Sequence, residues 1–140
     1  MKKLAFALII ATSLAVFSSC GGHSGKTNMA IIETVLEATK GHTPMNVAPG
    51  MVMADVRLED GYFTYYYVCE EPMYDMDKLQ TNSEMAKKDV KAALALQHDS
   101  MALLLTHLKA AGIGIAYKYI GDTSGKESIV YIECEEFDEL

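Results

Sequence analysis

The sequence predicts an α+β domain: a four-stranded antiparallel sheet made of two β-hairpins, with helices packed on one of its faces. Two stretches, near residues 28–40 and 82–111, carry apolar residues at helical spacing. Two others, 51–69 and 113–134, alternate with period two around a turn. The resulting order is α-β-β-α-β-β, and strands that come as hairpins favour an antiparallel sheet with one covered face.

The first element is an amphipathic helix. Asn28 is a suitable N-cap for a helix over 29–40, and Gly41 stands where helices commonly end. Its apolar face carries Ile31, Ile32, Val35 and Leu36. Residues 42–50 contain two prolines and are interpreted as a connector without regular structure.

The first hairpin turns at Asp60-Gly61, a dipeptide typical of two-residue β-turns. Such a turn pairs residues on one face as follows: Leu58 with Phe63, Val56 with Tyr65, Ala54 with Tyr67, and Val52 with Cys69. The opposite face then carries Met51, Met53, Asp55, Arg57, Glu59, Tyr62, Thr64, Tyr66 and Val68. A slip of one residue would bury Asp55 and Arg57, so the pattern supports this register.

An acidic loop, 70–77, separates the first hairpin from the second helical stretch. That stretch begins at Asn82 or Ser83 and ends before Gly112, and His98-Asp99-Ser100 could divide it into two helices. The second hairpin follows, with strands over 113–120 and 127–134. The acidic tail after residue 134 is expected to fray.

Residues 1–19 have the composition of an export signal. Lys2 and Lys3 precede fourteen uncharged residues, 4–17, which are too few to span a bilayer. The next residues, Phe17-Ser18-Ser19-Cys20, resemble the lipobox of bacterial lipoproteins. We therefore expect a lipoprotein signal peptide over 1–19, a lipidated Cys20 with a tether over 20–27, and one domain over 28–140.

This interpretation predicts that the protein is located in the cell envelope and anchored there by lipid. Several acyl chains on one cysteine would hold it on a membrane permanently. The short tether, 21–26, lacks an acidic run of the kind that resembles surface-export signals, which favours the outer membrane with the domain facing the periplasm. The alternative is a plain secretory signal with a chance cysteine.

The charge of the mature chain restricts its partners. Residues 20–140 contain 10 basic and 19 acidic side chains, a formal charge of −9. Nucleic acid and anionic head groups would be repelled by this balance. Apart from the membrane that receives the lipid, the expected partner is an envelope protein that is neutral or basic.

Cys69 and Cys134 are the thiols that remain once Cys20 is acylated. An even pair in an oxidising compartment is a candidate disulfide, with the two residues on neighbouring strands. Two separately buried thiols are the alternative.

The sequence offers no recognisable catalytic motif, and no catalytic residue and no cofactor are assigned. The zinc spacings HExxH and CxxC do not occur. His42, Met45, Met51 and Met53 form a set that could serve Cu(I), so a periplasmic copper handler is the alternative function. Methionine as flexible core filler is the stronger interpretation.

A non-catalytic binding domain is the function that the sequence favours. Tyr, Met and Arg are enriched at protein interfaces. The candidate binding face consists of Arg57, Tyr62 and Tyr66 on the first hairpin and Met73 and Tyr74 in the acidic loop. The alternative for this face is a core position beneath a helix.

Several residues across 28–134 are similar to a pattern in small, uncharacterised envelope lipoproteins of the kind found in Bacteroidetes. The pattern consists of Pro44, the run Tyr65-Tyr66-Tyr67, Gly112-Ile113-Gly114-Ile115, Tyr117, Tyr119, Asp122 and Gly125. The resemblance implies the fold and an envelope location, and it transfers no catalytic residue.

Overall fold

The computed structural model describes residues 28–140. The predicted signal peptide, Cys20 and the tether lie outside the described residues. The helices are α1 (Asn28–Lys40), α2 (Met76–Thr81), α3 (Ser83–Leu96) and α4 (His98–Ala111). The strands are β1 (Met45–Ala48), β2 (Met51–Glu59), β3 (Tyr62–Cys69), β4 (Gly114–Gly121) and β5 (Glu127–Ile132), and a 3-10 helix follows over Cys134–Glu139.

The α+β class is confirmed, whereas the prediction of four antiparallel strands is wrong. The described residues form one five-stranded sheet in the order β1-β2-β3-β4-β5, and β3 and β4 run parallel. The helices α2, α3 and α4 occupy the connection between β3 and β4. This long crossover returns the chain to the end of the sheet where β3 began, so β4 starts beside Tyr62 and runs in the same direction.

The fifth strand comes from the segment interpreted as a connector. Met45 lies opposite Met53, and Asn46 lies opposite Val52. The prolines at positions 44 and 49 stand just outside β1, where the missing N–H groups interrupt no ladder. A four-residue strand between two prolines has too few residues to show the alternation that predicts a strand.

The turn between β2 and β3 is confirmed, and its register holds for the residues next to it. Asp60 and Gly61 both have positive φ, at 55° and 83°, as a type I′ turn requires. Leu58 pairs with Phe63 and Val56 with Tyr65. Beyond these pairs a β-bulge at Ala54 shifts the register, so that Met53 lies opposite Tyr67 and Met51 opposite Cys69.

The bulge corrects the predicted placement of two methionines. One extra residue in a strand reverses the face of every residue beyond it. Met51 and Met53 therefore point into the core, where they are 0% and 2% exposed, and Ala54 lies exposed. Val52, predicted to face inward, lies on the opposite face.

The second helical stretch divides close to the predicted break. Gln97 separates α3 from α4, and Gly112 ends α4 in the left-handed conformation at φ 72°. Before them stands the short helix α2, whose N-cap Asp75 accepts a hydrogen bond from the Lys78 N–H at 3.1 Å.

A single core lies between the helices and one face of the sheet. Ile32 and Val35 of α1, Val90 and Leu94 of α3, and Leu104 and Leu108 of α4 belong to one cluster with the inward residues of the strands. At its centre the inward tyrosines of β3 and β4 stack. The rings of Tyr65 and Tyr117 are 5.4 Å apart, and those of Tyr67 and Tyr119 are 5.3 Å apart.

The acidic tail does not fray, contrary to expectation. Phe137 of the 3-10 helix is 5% exposed and joins the core. Glu136 binds the ammonium groups of Lys87 at 3.0 Å and Lys91 at 3.1 Å, and Lys109 pairs with Asp138. The tail's negative charge is thus matched by lysines on α3 and α4. Within residues 28–140, no helix is long and apolar enough to cross a membrane.

Candidate functional site on the uncovered sheet face

The face of the sheet that points away from the core carries the candidate site, and we refer to it as the outer face. Period-two alternation and the observed register assign its members. They are Asn46, Val52, Asp55, Arg57, Glu59, Tyr62, Thr64, Tyr66, Val68, Gly114, Ala116, Lys118, Ile120, Glu127, Ile129 and Tyr131. The helices of the described residues pack on the other face.

Tyr66 occupies the centre of the outer face and is held between two cations. The Arg57 guanidinium lies 4.4 Å from the Tyr66 ring centroid, and the Lys118 ammonium lies 5.1 Å from it. The Tyr66 hydroxyl donates a hydrogen bond to Glu59. Burial and the bond to Glu59 raise the pKa of Tyr66. The ring is therefore a fixed, neutral platform bordered by both signs of charge.

Asp55 on β2 binds two cationic side chains, one from its own strand and one from α1. Its carboxylate accepts hydrogen bonds from the Arg57 side chain at 2.8 Å and from Lys40 at 3.1 Å. The bond to Arg57 lowers the pKa of Asp55, burial opposes this, and Lys40 adds to the lowering. Asp55 thereby orients the guanidinium over Tyr66 and links α1 to the sheet.

Two tyrosines form a pair at the end of the outer face near the β2–β3 turn. The Tyr62 and Tyr131 rings are 4.8 Å apart and inclined at 51°. Tyr62 lies directly over Gly114, where a Cβ atom would come within 2.8 Å of the ring. The Tyr62 hydroxyl donates to Glu133 at 2.6 Å, and this bond, aided by burial, raises the pKa of Tyr62 to about 12. Tyr131 stays 43% exposed.

The opposite end of the outer face is aliphatic. Val52, Val68 and Ile120 lie side by side at one level on β2, β3 and β4. All three are half-buried although no helix of the described residues covers them. Together with the tyrosine pair, this row gives the outer face apolar surface at both ends. Asp55, Arg57 and Lys118 lie between them, while Glu59 is level with Tyr62 and Glu127 is level with Ile120.

The structure divides the predicted binding residues between two places. Arg57, Tyr62 and Tyr66 share the outer face, whereas Met73 and Tyr74 lie in the loop after β3, at the other end of the sheet from Tyr62. The Tyr74 hydroxyl donates to the Pro49 carbonyl at 2.9 Å, and its ring packs against the core. Met73 is 59% exposed. Tyr74 therefore has a structural contact that its sequence position did not indicate.

The acidic loop is tied to the β4–β5 turn by Glu71. Its carboxylate accepts hydrogen bonds from the backbone N–H groups of Thr123 at 2.9 Å and Ser124 at 2.8 Å, and from the Ser124 hydroxyl. The bonds from Ser124 lower the pKa of Glu71. In turn, the Asp122 carboxylate accepts a hydrogen bond from the backbone N–H of Glu71 at 3.0 Å. These acids serve to join two loops.

The proposed copper ligands do not share an exposed site. Met51 and Met53 are core residues, Met45 is half-buried beside Met53, and His42 is exposed on the segment before β1. In the described part of the chain, no three side chains of His, Cys, Asp or Glu come together in a way that could hold a metal ion.

Within residues 28–140, Cys69 and Cys134 are free thiols and form no bond with each other, contrary to the candidate disulfide. Cys69 ends β3 opposite Gly121, while Cys134 follows Ile132, which pairs with Ile115 at the other end of β4. Six residues of strand separate those two levels, or roughly 20 Å, far beyond the reach of a disulfide. The parallel pairing of β3 and β4 causes the separation. Burial raises the pKa of the Cys69 thiol to about 12, so it is not a nucleophile at neutral pH.

The histidines also have positions without evident chemistry. His107 on α4 bonds through Nδ1 to the Asn28 side chain at 2.7 Å, which ties the start of α1 to α4. His98 is exposed at the first position of α4. No catalytic residue is assigned from the described residues.

Sequence reasoning missed three residues of the outer face that matter to its shape: Tyr131, Gly114 and Lys118. All three lie on the second hairpin, and the parallel pairing of β3 with β4 brings them beside Tyr62 and Tyr66. The β4–β5 alternation was a usable signal for Tyr131. No local pattern showed which hairpin strands would become neighbours.

No protein-family model matches the chain, and no curated protein sequence matches it. A solved structure with a similar fold is that of a candidate secreted protein from Pseudomonas aeruginosa. The two chains share 11% sequence identity and superpose with a TM-score of 0.62, over 83% of this chain and 99% of the other. At this identity the likeness establishes the fold, and the domain is an α+β domain of that type.

Proposed function

We propose that this protein is a non-catalytic binding module of the cell envelope, which contacts another protein through the outer face. The observation that carries the proposal is the outer face itself. It combines fixed aromatic rings, two cations and apolar ends, the composition enriched at protein interfaces. The geometry does not support the copper alternative, because the side chains of Met51 and Met53 are buried in the core.

The location belongs to the same proposal. The signal-like residues 1–19 and the lipobox-like Cys20 support export and lipid anchoring, with the domain facing the periplasm. The description of the Pseudomonas protein as secreted agrees with export. A Cys20→Ser variant is expected to lose the incorporation of a fatty-acid label that the wild type shows in cells, and equal labelling of the two proteins would contradict lipidation at Cys20.

The binding role is tested by photo-crosslinking the full-length protein in cells. A photoreactive residue replaces Tyr131, which is exposed on the outer face, and in a matched control it replaces Leu96, which is 82% exposed on the helical side. A discrete crosslinked product from position 131, absent from position 96 and lost in a Tyr62→Ala, Tyr66→Ala variant, would support the proposal. Equal products from both positions, or none, would reject the outer face as the binding site.

A further inference from the structure

We infer that the occupant of the outer face is a second copy of this chain, related by a two-fold axis that runs along β3. The two sheets would face each other as the layers of a β-sandwich, about 10 Å apart. The inference rests on the proposed function, since it uses the same face and names its partner.

Charge favours a copy of the same chain over a basic protein. Residues 28–140 keep all 19 acidic residues and 9 of the 12 basic ones, a formal charge of −10. The strands of the outer face carry three acids, Asp55, Glu59 and Glu127, against Arg57 and Lys118, and Lys40 reaches Asp55 from α1. This face is therefore close to neutral on a strongly acidic domain. Two copies meet least repulsion there, while a basic partner would gain more elsewhere.

The register makes the outer face complementary to itself. A two-fold axis along β3 places each residue of β2 over the residue of β4 at the same level in the partner. Asp55, Tyr66 and Lys118 share one level, so Lys118 of each copy lies over Asp55 of the other. Opposite charges thus meet twice, once on each side of the axis.

The neighbouring levels fit in the same way. Val52, Val68 and Ile120 share a level, so Val52 of each copy meets Ile120 of the other, and the two Val68 side chains meet on the axis. On the other side of the Asp55 level, Arg57, Thr64 and Ala116 share a level. The long Arg57 side chain of each copy therefore faces the small Ala116 of the other. Apolar side chains meet apolar ones, and a large side chain meets a small one.

The point where the chain enters the domain agrees with this axis. Asn28 bonds to His107, close to the end of α4 that leads into β4, and β4 begins where the Gly114 N–H donates to the Gly61 carbonyl. An axis parallel to the strands puts both entry points at one end of the dimer. The seven residues between Cys20 and Asn28 span at most about 25 Å, so two lipid-anchored copies need their entry points on the same side.

The size of the face suffices for a modest dimer. The five strands have four, nine, eight, eight and six residues, and at about 3.3 Å per residue and about 4.8 Å between strands they cover roughly 550 Å² in projection. Side-chain relief adds accessible area to this projection. The total approaches the roughly 800 Å² per partner that standard interfaces bury.

Cysteine crosslinking in the envelope tests the geometry. The full-length chain carries Cys69→Ala and Cys134→Ala, keeps Cys20, and receives either Val68→Cys or Ile129→Cys. Both positions are half-buried on the outer face, but Val68 lies on the axis, whereas Ile129 lies two strands away from it, so its two copies would be about 20 Å apart. A short bismaleimide is expected to give at least tenfold more dimer with Val68→Cys. Equal yields, or no dimer at position 68, would overturn the inference.

A charge reversal provides the second measurement. In the Val68→Cys background, Lys118→Asp is expected to reduce the crosslinked dimer several-fold, and Lys118→Arg, which keeps the positive charge, is expected to leave it unchanged, with thermal unfolding of each variant confirming that it folds. An unaffected yield in Lys118→Asp would contradict the pairing. If position 131 crosslinks to a different protein while Val68→Cys stays monomeric, the binding module stands and the homodimer falls. If neither position gives a product, both fall.

Discussion

The hydroxyl groups of Tyr67 and Tyr117 lower the stability of the core that their rings help to fill. Their rings stack within the core, and each side chain is almost fully buried. Within the described residues, neither hydroxyl has a hydrogen-bond partner. A buried hydroxyl without a partner costs about 1–3 kcal/mol of stability. Burial accordingly raises the pKa of both groups well above the usual value.

We therefore expect Tyr67→Phe and Tyr117→Phe each to raise the free energy of unfolding by about 1 kcal/mol, because the ring stays and the desolvated hydroxyl is removed. Urea denaturation measures the change. Tyr74→Phe is the matched control and should lower stability by about 1 kcal/mol, since its hydroxyl bonds to the Pro49 carbonyl. A loss of stability in Tyr67→Phe would show that its hydroxyl has a partner such as a buried water.

The lowered pKa of Glu136 leads us to expect that the free energy of unfolding depends on pH. Partial burial opposes ionisation, but the Glu133 N–H, Lys87 and Lys91 outweigh it and lower the pKa of Glu136 to about 2. Because the folded pKa lies below the unfolded one, near 4.5, the stabilisation is present above pH 4.5 and is lost as the pH falls towards 2.

Glu136→Gln should therefore destabilise the protein by about 1–2 kcal/mol at pH 7 and by much less near pH 2, after allowance for the partial exposure of the site. Unfolding curves at several pH values measure this. Glu135→Gln, at an exposed neighbouring position, should change stability by less than about 0.5 kcal/mol throughout. A constant deficit in Glu136→Gln at every pH would refute the role of its charge.

At the scale of elements, the sequence predicts the β2–β3 turn and the pairs next to it correctly, but not the strand register beyond Ala54. The Asp60-Gly61 turn fixes the pairs closest to it, because positive φ at both residues is strongly favoured by that dipeptide. The bulge at Ala54 lies six residues upstream. Burying Met51 and Met53 gives the core two larger side chains than Val52 and Ala54 would, and this gain depends on the helices above.

The 3-10 helix at the C-terminus is expected to be an integral part of the domain. Phe137→Ala should lower the free energy of unfolding by about 3 kcal/mol, because it removes a buried ring from the core. Leu96→Ala, at a side chain that is 82% exposed, should change stability by less than about 0.5 kcal/mol. Chemical denaturation compares the two variants, and similar values would mean that the tail is not docked.

At the scale of the whole molecule, topology decides the state of the thiols. The structure predicts that Cys69 and Cys134 remain reduced in an oxidising compartment, since the sheet holds them roughly 20 Å apart. Alkylation of the full-length protein in denaturant without reductant, followed by mass spectrometry, should add a label to each. Labelling of neither would reveal a disulfide and thereby contradict the strand order.

Local sequence patterns were sufficient to predict α1, the helical stretch that forms α3 and α4, the two hairpins, the Asp60-Gly61 turn and the end of α4 at Gly112. They also placed seven residues of the outer face: Asp55, Arg57, Glu59, Tyr62, Thr64, Tyr66 and Val68. These follow from the spacing of apolar residues and from turn chemistry, which act over a few neighbouring residues. Long-range packing determines that β1 joins the sheet, that β3 and β4 lie parallel, that Tyr131 contacts Tyr62 and that Lys118 contacts Tyr66. Those features depend on which distant segments bury one another, and local patterns do not carry that information.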